Sequence, residues 1–335
     1  MGSAARTTCA VAAAILASVV LAAGTPPEVL KLEGDLAPVH DPVVIRERDS
    51  YYVFSTGGRP GQGVVPIRTS KDMRTWTLSG YVYESLPEWA LAEIPKASNA
   101  WAPDISHFNG KFHLYYSVSS FGSRNSAIGL TTTSTLDPAS ADYRWQDQGM
   151  VLRSHEESDD WNAIDPNLFI EDADKLWLSW GSFWGGIKMR RVDPDTGKLS
   201  GSDVELHSLA SRRPRQPPAI EAPFIVRRDG YYYLFVSFDL CCRGKDSTYK
   251  IMVGRALRIT GPYRDRDDRP MMEGGGTLVL EGTRAWRGPG HPAVLFDSNA
   301  DLLVFHAYEG TTGRATLRIS TLAWEDGWPR AGRLE

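Results

Sequence analysis

Residues 219–236 read AIEAPFIVRRDGYYYLFV. Near the start of this stretch, Glu221 lies between apolar residues, and Pro223 follows two positions later. Two apolar or aromatic runs then flank a polar turn that ends in Asp229 and Gly230. Short apolar runs on either side of an Asp-Gly turn are typical of a β-hairpin. We therefore predict two antiparallel strands here, with Glu221 at the start of the first.

Four further stretches share this arrangement, so the chain contains five versions of the hairpin. Each has an acid or a histidine beside a proline, then an apolar strand, a polar turn and a second apolar strand. The five marker residues are Asp41, Asp104, Asp165, Glu221 and His291, spaced by 56 to 70 residues. A repeat of that length exceeds a solenoid unit and fits a propeller blade with long outer loops.

The repeats predict an all-β fold, a five-bladed β-propeller that spans residues 34–335. A single hairpin cannot bury both of its faces, whereas five extended hairpins can pack around an axis and leave only short edges. Equivalent points of the blades face the axis at the same end. We therefore expect the five marker residues to converge on one cavity.

Composition narrows the function classes. The chain has 335 residues, of which 42% are hydrophobic, and this is enough for a substantial core. The mean hydropathy of -0.31 is too polar for a membrane protein. The net charge is -4, and the charges alternate in sign without basic blocks, which argues against a nucleic-acid partner.

The N-terminus resembles a secretory signal. Arg6 precedes an apolar run, residues 9–22, and small residues follow it. The alternative is a membrane anchor, but the run is shorter than the roughly 20 residues that a spanning helix needs. We predict a signal peptide at residues 1–23, cleaved near Ala23. The mature protein is then secreted, with no membrane attachment.

The mature chain keeps two cysteines, Cys241 and Cys242, which are adjacent. Two neighbours cannot link distant segments, so the fold does not depend on a disulfide framework. The pair either forms a vicinal disulfide or stays as thiols, and both remain open at this point. The sequence has no Cys/His cluster with zinc spacing.

The acids at the marker positions have two interpretations. Taken singly, each caps backbone amides beside its proline, which is a common use of Asp in turns. Gathered in one cavity, like charges raise at least one pKa and so separate a proton donor from a proton acceptor. Glycosidic bond cleavage requires that separation. Glu221 has the most apolar setting, and we predict that it is the donor.

Seven motifs, found in order along the chain, resemble those of the arabinanases of glycoside hydrolase family 43. They extend from about residue 34 to near the C-terminus. The motifs are His40-Asp41-Pro42, Trp101-Ala102-Pro103-Asp104, Asn162-Ala163-Ile164-Asp165-Pro166, Gly181-Ser182-Phe183-Trp184, Ile220-Glu221-Ala222-Pro223, Cys241-Cys242-Arg243-Gly244 and Gly290-His291-Pro292.

The resemblance implies a five-bladed propeller that cleaves internal α-1,5-linked L-arabinofuranosidic bonds of arabinan with inversion. It implies that Asp41 is the general base, Glu221 the general acid and Asp165 the residue that raises the pKa of the acid and orients it. His291 would hold calcium or a similar cation, bound largely through waters. The residues implied to line the substrate subsites are Trp101, Phe121, Asn162, Ile164, Ser182 and Phe183.

Other functions remain open on the sequence alone. One keeps the fold and the site but acts on chain ends, as an exo-arabinanase, an α-L-arabinofuranosidase or a β-xylosidase. Another is a sugar-binding propeller without catalysis, which the full set of acids disfavours. Trp101 and His291, taken singly, also fit core positions. We expect arabinan as the partner, and a monomer by default because the sequence shows no interface pattern.

Overall fold

The structure is a computed structural model that describes Met1 and residues 26–335, except residues 60, 214 and 216. Apart from Met1, the predicted signal peptide lies outside the described residues. The described chain forms 22 strands, one short α-helix and two 3₁₀ turns. The strands form five sheets, and within each of the last four the strands follow one another in chain order.

Blade I has the order β1-β6-β5-β3-β2, with β4 paired to β5. Blades II to V each contain four consecutive antiparallel strands. The strands of blades I and II are β1 (Glu33–Gly34), β2 (His40–Glu47), β3 (Ser50–Thr56), β4 (Gly58–Arg59), β5 (Gly63–Ser70), β6 (Thr75–Tyr83), β7 (Ala100–Phe108), β8 (Lys111–Val118), β9 (Ser126–Thr133) and β10 (Gln146–Ser154).

Blades III, IV and V complete the ring. Their strands are β11 (Asn167–Asp172), β12 (Lys175–Trp180), β13 (Ile187–Val192), β14 (His207–Ala210), β15 (Ile220–Arg228), β16 (Tyr231–Phe238), β17 (Lys250–Ala256), β18 (Thr277–Glu281), β19 (Trp286–Phe296), β20 (Asp301–Glu309), β21 (Ala315–Glu325) and β22 (Trp328–Ala331). The helix α1 (Glu88–Glu93) lies between blades I and II. The 3₁₀ turns are Gly244–Asp246 and Met271–Glu273.

The first strands of the blades form the inside of the ring. Strand β2 contacts β7, β7 contacts β11, β11 contacts β15, β15 contacts β19, and β19 contacts β2 again. The all-β, five-bladed propeller predicted from the repeats is thereby confirmed. Each of these strands carries, or directly follows, one Xaa-Pro pair of the repeated motif.

The residue before that proline has a left-handed backbone in every blade. These residues are Asp41, Ala102, Asp165, Ala222 and His291, with φ between 44° and 58°. Residues other than glycine rarely adopt this conformation. In blades I, II, IV and V it coincides with a register shift between the first two strands. A bulge of this kind redirects side chains locally, and here it lies at the inner rim of the ring.

The shared backbone conformation corrects the expectation that all five marker residues are equivalent. Glu221 lies one residue before the left-handed position of its blade, and Asp104 lies two residues after it. Asp104 is buried, and its carboxylate accepts hydrogen bonds from Nδ2 of Asn167 at 3.0 Å and from the amide of Leu168 at 2.8 Å. Asp104 therefore joins blade II to blade III. The bulge interrupts the alternation of side chains along the strand. An offset of one or two residues from the left-handed position therefore changes the direction in which a side chain points.

The N-terminal segment closes the ring between blades V and I. The amide of Leu30 donates to the carbonyl of Ile319 at 2.8 Å, and the amide of Val39 donates to the carbonyl of Ala315 at 3.0 Å. In blade I, β1 pairs in parallel with β6. Residues 28–39 thus bond to both blades.

Within the described residues, no helix combines the length and the apolar content that crossing a membrane requires.

Candidate active site

The carboxylate of Asp41 receives several donors. Its Oδ2 atom lies 2.8 Å from Nδ1 of His40 and accepts a 2.6 Å hydrogen bond from the hydroxyl of Thr56. Its Oδ1 atom lies 3.2 Å from Nδ1 of His291. A carboxylate offers about four lone-pair positions, and the described residues fill three of them. One position on Oδ1 is therefore left to accept a proton.

Electrostatics keep Asp41 ionised. Burial alone would raise its pKa, but the electrostatic attraction and hydrogen bonds of His40 and His291 outweigh burial and hold the pKa of Asp41 well below its ordinary value. Burial alone would lower the pKa of His291, yet the charge of Asp41 raises that pKa to about 9. The two residues form a buried pair of opposite charge near neutral pH.

The pKa of Glu221 is shifted in the opposite direction from that of Asp41. Its Oε2 atom accepts a 2.6 Å hydrogen bond from the hydroxyl of Ser182, and its Oε1 atom accepts one from the hydroxyl of Tyr249. Burial raises the pKa of Glu221, and the negative charge of Asp41 raises it further. The two hydrogen bonds lower this pKa, but the net shift is upward. The site therefore contains one carboxyl with a lowered pKa and another with a raised pKa.

Asp165 is coupled to Glu221 through the backbone. Its Oδ2 atom accepts a 3.0 Å hydrogen bond from the amide of Ala222, the residue after Glu221. Burial raises the pKa of Asp165 well above its ordinary value, and repulsion from Glu221 and Asp41 adds to the rise, although His291 opposes it. Asp165 and Glu221 are thus a coupled pair of buried acids.

A repeated contact between blades explains why Asp165 holds that amide. In the other blades, the amide at the left-handed position donates to a side chain on the second strand of the preceding blade. These acceptors are His306 for Asp41, Thr56 for Ala102, Ser117 for Asp165 and Ser237 for His291, at 2.6 to 3.1 Å.

The corresponding position of blade III is Gly181, which has no side chain to accept a hydrogen bond. The amide of Gly181 itself donates to the carbonyl of Ile164 at 2.9 Å. A Cβ atom at Gly181 would approach the carbonyl oxygen of Gly186 to 2.3 Å, so a larger residue does not fit. The carboxylate of Asp165 serves as the acceptor instead, and it thereby fixes the peptide beside Glu221.

The structure gives the predicted subsite residues different surroundings. Trp101 and Ile164 occupy the same repeat position as Glu221, directly before the left-handed residue, and both are partly buried. Ser182 contacts Glu221 directly. Asn162 is buried, and its Oδ1 atom has no hydrogen-bond partner among the described residues. A sugar hydroxyl would satisfy that acceptor.

Phe183 and Phe121 are the two remaining predicted subsite residues. The amide of Phe183 donates to the carbonyl of Ile220 at 2.8 Å. Its side chain lines a cavity of about 300 Å³ together with Trp184, Arg213 and Pro218. Phe121 is 83% exposed on the loop after β8.

Sequence reasoning gave no role to four residues that the structure brings to the acids. They are His40 and Thr56, which bond to the carboxylate of Asp41; Tyr249, which bonds to Glu221; and His306, whose Nδ1 accepts the amide of Asp41 at 3.1 Å. His40 was detectable because it adjoins Asp41. His306 follows the second-strand pattern of Thr56, Ser117 and Ser237, which became recognisable only when the register was known.

The two cysteines form a vicinal disulfide, one of the two alternatives that the sequence left open. The sulfur of Cys242 lies 3.8 Å from Nε2 of His40, so this turn adjoins the acids. Two groups of described residues bring possible metal-binding atoms together: His40 with the two cysteines, and His40 with Asp41 and His306. His291 belongs to neither group.

The chain matches the family described as glycosyl hydrolases family 43 over residues 37–329. It is 44% identical over 308 residues to an extracellular exo-α-(1→5)-L-arabinofuranosidase of Cellvibrio japonicus, covering 89% of this chain and 87% of that protein. It is 41% identical over 319 residues to an extracellular endo-α-(1→5)-L-arabinanase of Bacillus subtilis, covering 95% of each.

Solved structures share the fold along most of the chain. An α-L-arabinanase of Cellvibrio cellulosa, determined with arabinohexaose, has a TM-score of 0.83 and 42% identity, covering 90% of this chain and all of that chain. A family 43 endo-arabinanase of Bacillus licheniformis has a TM-score of 0.81 and 45% identity, covering 90% of this chain and 99% of that chain.

Proposed function

The chain belongs to glycosyl hydrolases family 43, and we propose that it cleaves internal α-1,5-L-arabinofuranosidic bonds of arabinan with inversion. The resemblance in the sequence motifs is confirmed at the level of the family. One relative with high identity and coverage is named an exo-α-(1→5)-L-arabinofuranosidase, and another is named an endo-α-(1→5)-L-arabinanase. The observation that carries the proposal is the pairing of Asp41, with a lowered pKa, and Glu221, with a raised pKa, in one site.

Asp41 acts as the general base in this mechanism. Its Oδ2 atom is saturated by His40 and Thr56, whereas among the described residues Oδ1 bonds only to His291 and keeps one free lone pair. Oδ1 is therefore the atom that accepts the proton of the attacking water. His291 and His40 stabilise the carboxylate before the reaction, and this keeps the base ionised in the free enzyme.

Glu221 acts as the general acid. Its raised pKa keeps a proton on the carboxyl group, which passes to the oxygen of the departing sugar chain as the bond breaks. The hydroxyls of Ser182 and Tyr249 then stabilise the carboxylate that is left behind. Because water attacks the face opposite the leaving group in one displacement, the anomeric configuration inverts.

Asp165 orients the acid. Its hydrogen bond to the amide of Ala222 fixes the backbone on which Glu221 stands. The two buried carboxyls interact, so ionisation of one raises the pKa of the other and only one of them ionises easily. Trp101, Asn162, Ile164, Ser182, Phe183 and Phe121 are assigned to the sugar subsites, as the family motifs imply.

We assign calcium, or a similar hard cation, to His291 with mostly water ligands; binding at Nε2 then requires loss of the Nε2 proton that His291 carries in the free site. Nδ1 of His291 bonds to Asp41, and Nε2 has no protein hydrogen-bond partner in the described chain. His291 lies in neither group of converging side-chain ligand atoms, so waters would supply most of the remaining ligands. When bound, such a cation adds positive charge beside the acids. Removal by a chelator should lower the midpoint of thermal unfolding, and an unchanged midpoint together with unchanged activity would contradict the assignment.

An exo-acting enzyme is the second candidate, because one relative at 44% identity is named as exo-acting. The two modes give different products from linear arabinan. We expect a ladder of oligosaccharides at early times from the endo enzyme. A single short product from the first time point would establish exo action instead. A separate assay with aryl arabinofuranosides or xylosides tests for an enzyme that removes terminal sugars.

Two relatives are named extracellular, which supports a secreted location and arabinan as the partner. We propose a monomer in solution, testable by light scattering.

The decisive experiment combines digestion of linear arabinan with variants at the two central carboxyls. Glu221→Ala and Asp41→Ala should each reduce arabino-oligosaccharide release by about 10³-fold or more, because each step loses its proton-transfer group. Circular dichroism and thermal unfolding show whether the fold persists. A folded variant with wild-type turnover would refute the role assigned to that residue.

A further inference from the structure

We propose that Cys242, Tyr308 and His40 form a positioning chain that holds the carboxylate of Asp41. The chain begins at the vicinal disulfide turn and reaches Asp41 through three consecutive hydrogen bonds. The catalytic role of Asp41 rests on the proposed function, but the hydrogen-bond chain itself can be tested without substrate. Its members lie on three different segments of the propeller.

His40 and His306 both contact Asp41. Nδ1 of His40 lies 2.8 Å from Oδ2 of Asp41, and Nδ1 of His306 accepts the Asp41 amide at 3.1 Å. The two imidazole rings stack, with their centroids 3.9 Å apart and their planes inclined by 24°. His306 is fully buried, so it gives His40 a rigid surface to lie on. One ring fixes the carboxylate of Asp41, and the other fixes its backbone.

The contact with Asp41 determines which nitrogen of His40 carries the proton, and Tyr308 bonds to the other nitrogen. Its hydroxyl oxygen lies 2.6 Å from Nε2 of His40 and accepts a 2.9 Å hydrogen bond from the amide of Cys242. Since a carboxylate only accepts, Nδ1 of His40 must be the protonated nitrogen. In the neutral ring, Nε2 then accepts the Tyr308 hydroxyl proton. All three bonds point toward Asp41, and aligned hydrogen bonds strengthen one another.

The vicinal disulfide fixes the first donor. Cys242 has a left-handed backbone, with φ of 64°, and its sulfur is bonded to the preceding residue. The turn is also held by a 3.0 Å hydrogen bond from the amide of Arg243 to the hydroxyl of Ser247. A disulfide between neighbours closes a small ring around their peptide bond. The orientation of the Cys242 amide, and hence of the Tyr308 hydroxyl, depends on that ring.

A purely structural role is the alternative, in which these groups only fill space. The variant Tyr308→Phe distinguishes a positioning role from a purely structural one, because it removes one hydroxyl and keeps the ring. We expect kcat to fall by about tenfold or more, in line with the loss of one hydrogen bond in a chain that ends on a charge, while KM changes little. Tyr263→Phe is the matched control: the buried Tyr263 hydroxyl donates to the carbonyl of Ile259 at 2.8 Å, outside the chain. Equal kinetic effects of the two variants would overturn the proposal.

Substitutions of His40 test its role independently. The amide nitrogen of asparagine can reach the place of Nδ1, whereas that of glutamine reaches the place of Nε2. We therefore expect His40→Asn to retain at least about tenfold more kcat than His40→Gln. Adding Tyr308→Phe to His40→Asn should cause no further loss, since the connection is already broken. Equal activity of the two His40 variants, or additive losses, would refute a chain that acts through Nδ1.

One further measurement needs no arabinan cleavage, and another tests the disulfide by its effect on the kinetics. Nitrogen-15 NMR of the imidazole should show His40 protonated on Nδ1 in the wild type, with a changed Nε2 signal in Tyr308→Phe. A wild-type ring protonated on Nε2, or on both nitrogens, would overturn the assignment even if the enzyme is active.

A dithiol reagent reduces the Cys241–Cys242 bond to two thiols and is itself oxidised to a cyclic disulfide. Once thiol titration shows that both cysteines are reduced, kcat should be lower and KM little changed. An unchanged kcat would show that the disulfide does not contribute to the hydrogen-bond chain.

Discussion

The carboxylate of Asp165 accepts a hydrogen bond from the amide of Ala222 at 3.0 Å, across the boundary between blades III and IV. In every other blade a side chain on the second strand accepts the corresponding amide. Gly181 provides none in blade III, so the carboxylate of Asp165 fixes the peptide beside Glu221, and the two acids are also coupled in their ionisation.

Variants of Asp165 should separate these two effects. Asp165→Asn removes the charge but keeps an oxygen that can accept the Ala222 amide, whereas Asp165→Ala removes both. We expect the Asn variant to keep about tenfold more kcat than the Ala variant. If Asp165 is the acid of the coupled pair that ionises first, both variants should lower the pKa of Glu221, and the loss of activity at high pH should begin at lower pH. An unchanged alkaline limb would assign the first ionisation to Glu221 instead. Equal kcat values for the two variants would exclude the orienting role.

Ser182 should control the alkaline limit of activity. The acid must be protonated to react, so activity falls as the pH rises through the pKa of Glu221. The Ser182 hydroxyl stabilises the ionised carboxylate at 2.6 Å. Ser182→Ala should therefore raise this pKa and move the alkaline limb upward by about one pH unit. Asp41, Asp165, Tyr249 and His291 surround the same carboxyl and are unchanged in this variant.

The matched control for that variant is Ser179→Ala. Ser179 is a buried serine of β12 whose hydroxyl donates to the carbonyl of Asn167 at 3.3 Å. Its removal should leave the alkaline limb of the pH profile of kcat in place. A downward shift in Ser182→Ala, or the same shift in both variants, would contradict the predicted effect of the Ser182 hydrogen bond.

Asp104 should affect stability more than catalysis. Its carboxylate accepts bonds from Asn167 and the amide of Leu168, so Asp104→Ala leaves a buried amide without its partner. We expect a loss of about 1–3 kcal/mol in the free energy of unfolding, measured by urea denaturation. Asp172→Ala, at an exposed aspartate, is the control. Unchanged stability in Asp104→Ala would show that the link between blades II and III contributes little.

Residues 28–39 should stabilise the closed ring. Leu30 is buried, and its amide bonds to Ile319 of blade V. Leu30→Ala should lower the free energy of unfolding by about 2–5 kcal/mol, as expected for truncation of a buried leucine. Leu257, which is 72% exposed, provides the control variant Leu257→Ala, with an expected change below about 0.5 kcal/mol. Similar losses in both variants would argue against a specific role of the N-terminal segment.

The repeats and the family motifs were predictable from sequence because their causes are local. Hairpin turns, alternating apolar residues and Xaa-Pro pairs act over a few residues, and five copies of them indicate five blades. Asp41, Asp165 and His291 could be selected because each directly precedes such a proline. The motif resemblance led to the family, and the comparison over residues 37–329 confirmed it.

Tertiary structure alone decided which side chains meet. The bulges offset Glu221 and Asp104 from the left-handed positions, so that Glu221 lies among the acids while Asp104 links two blades. His306 and Asp41 are 265 residues apart in sequence, yet they share a hydrogen bond. No local pattern encodes such a contact, because it depends on the closure of the ring that brings blade V against blade I. The sequence by itself thus determined the five blades and the candidate acids, whereas their partners and the proton arrangement around them followed only from the packing of the blades.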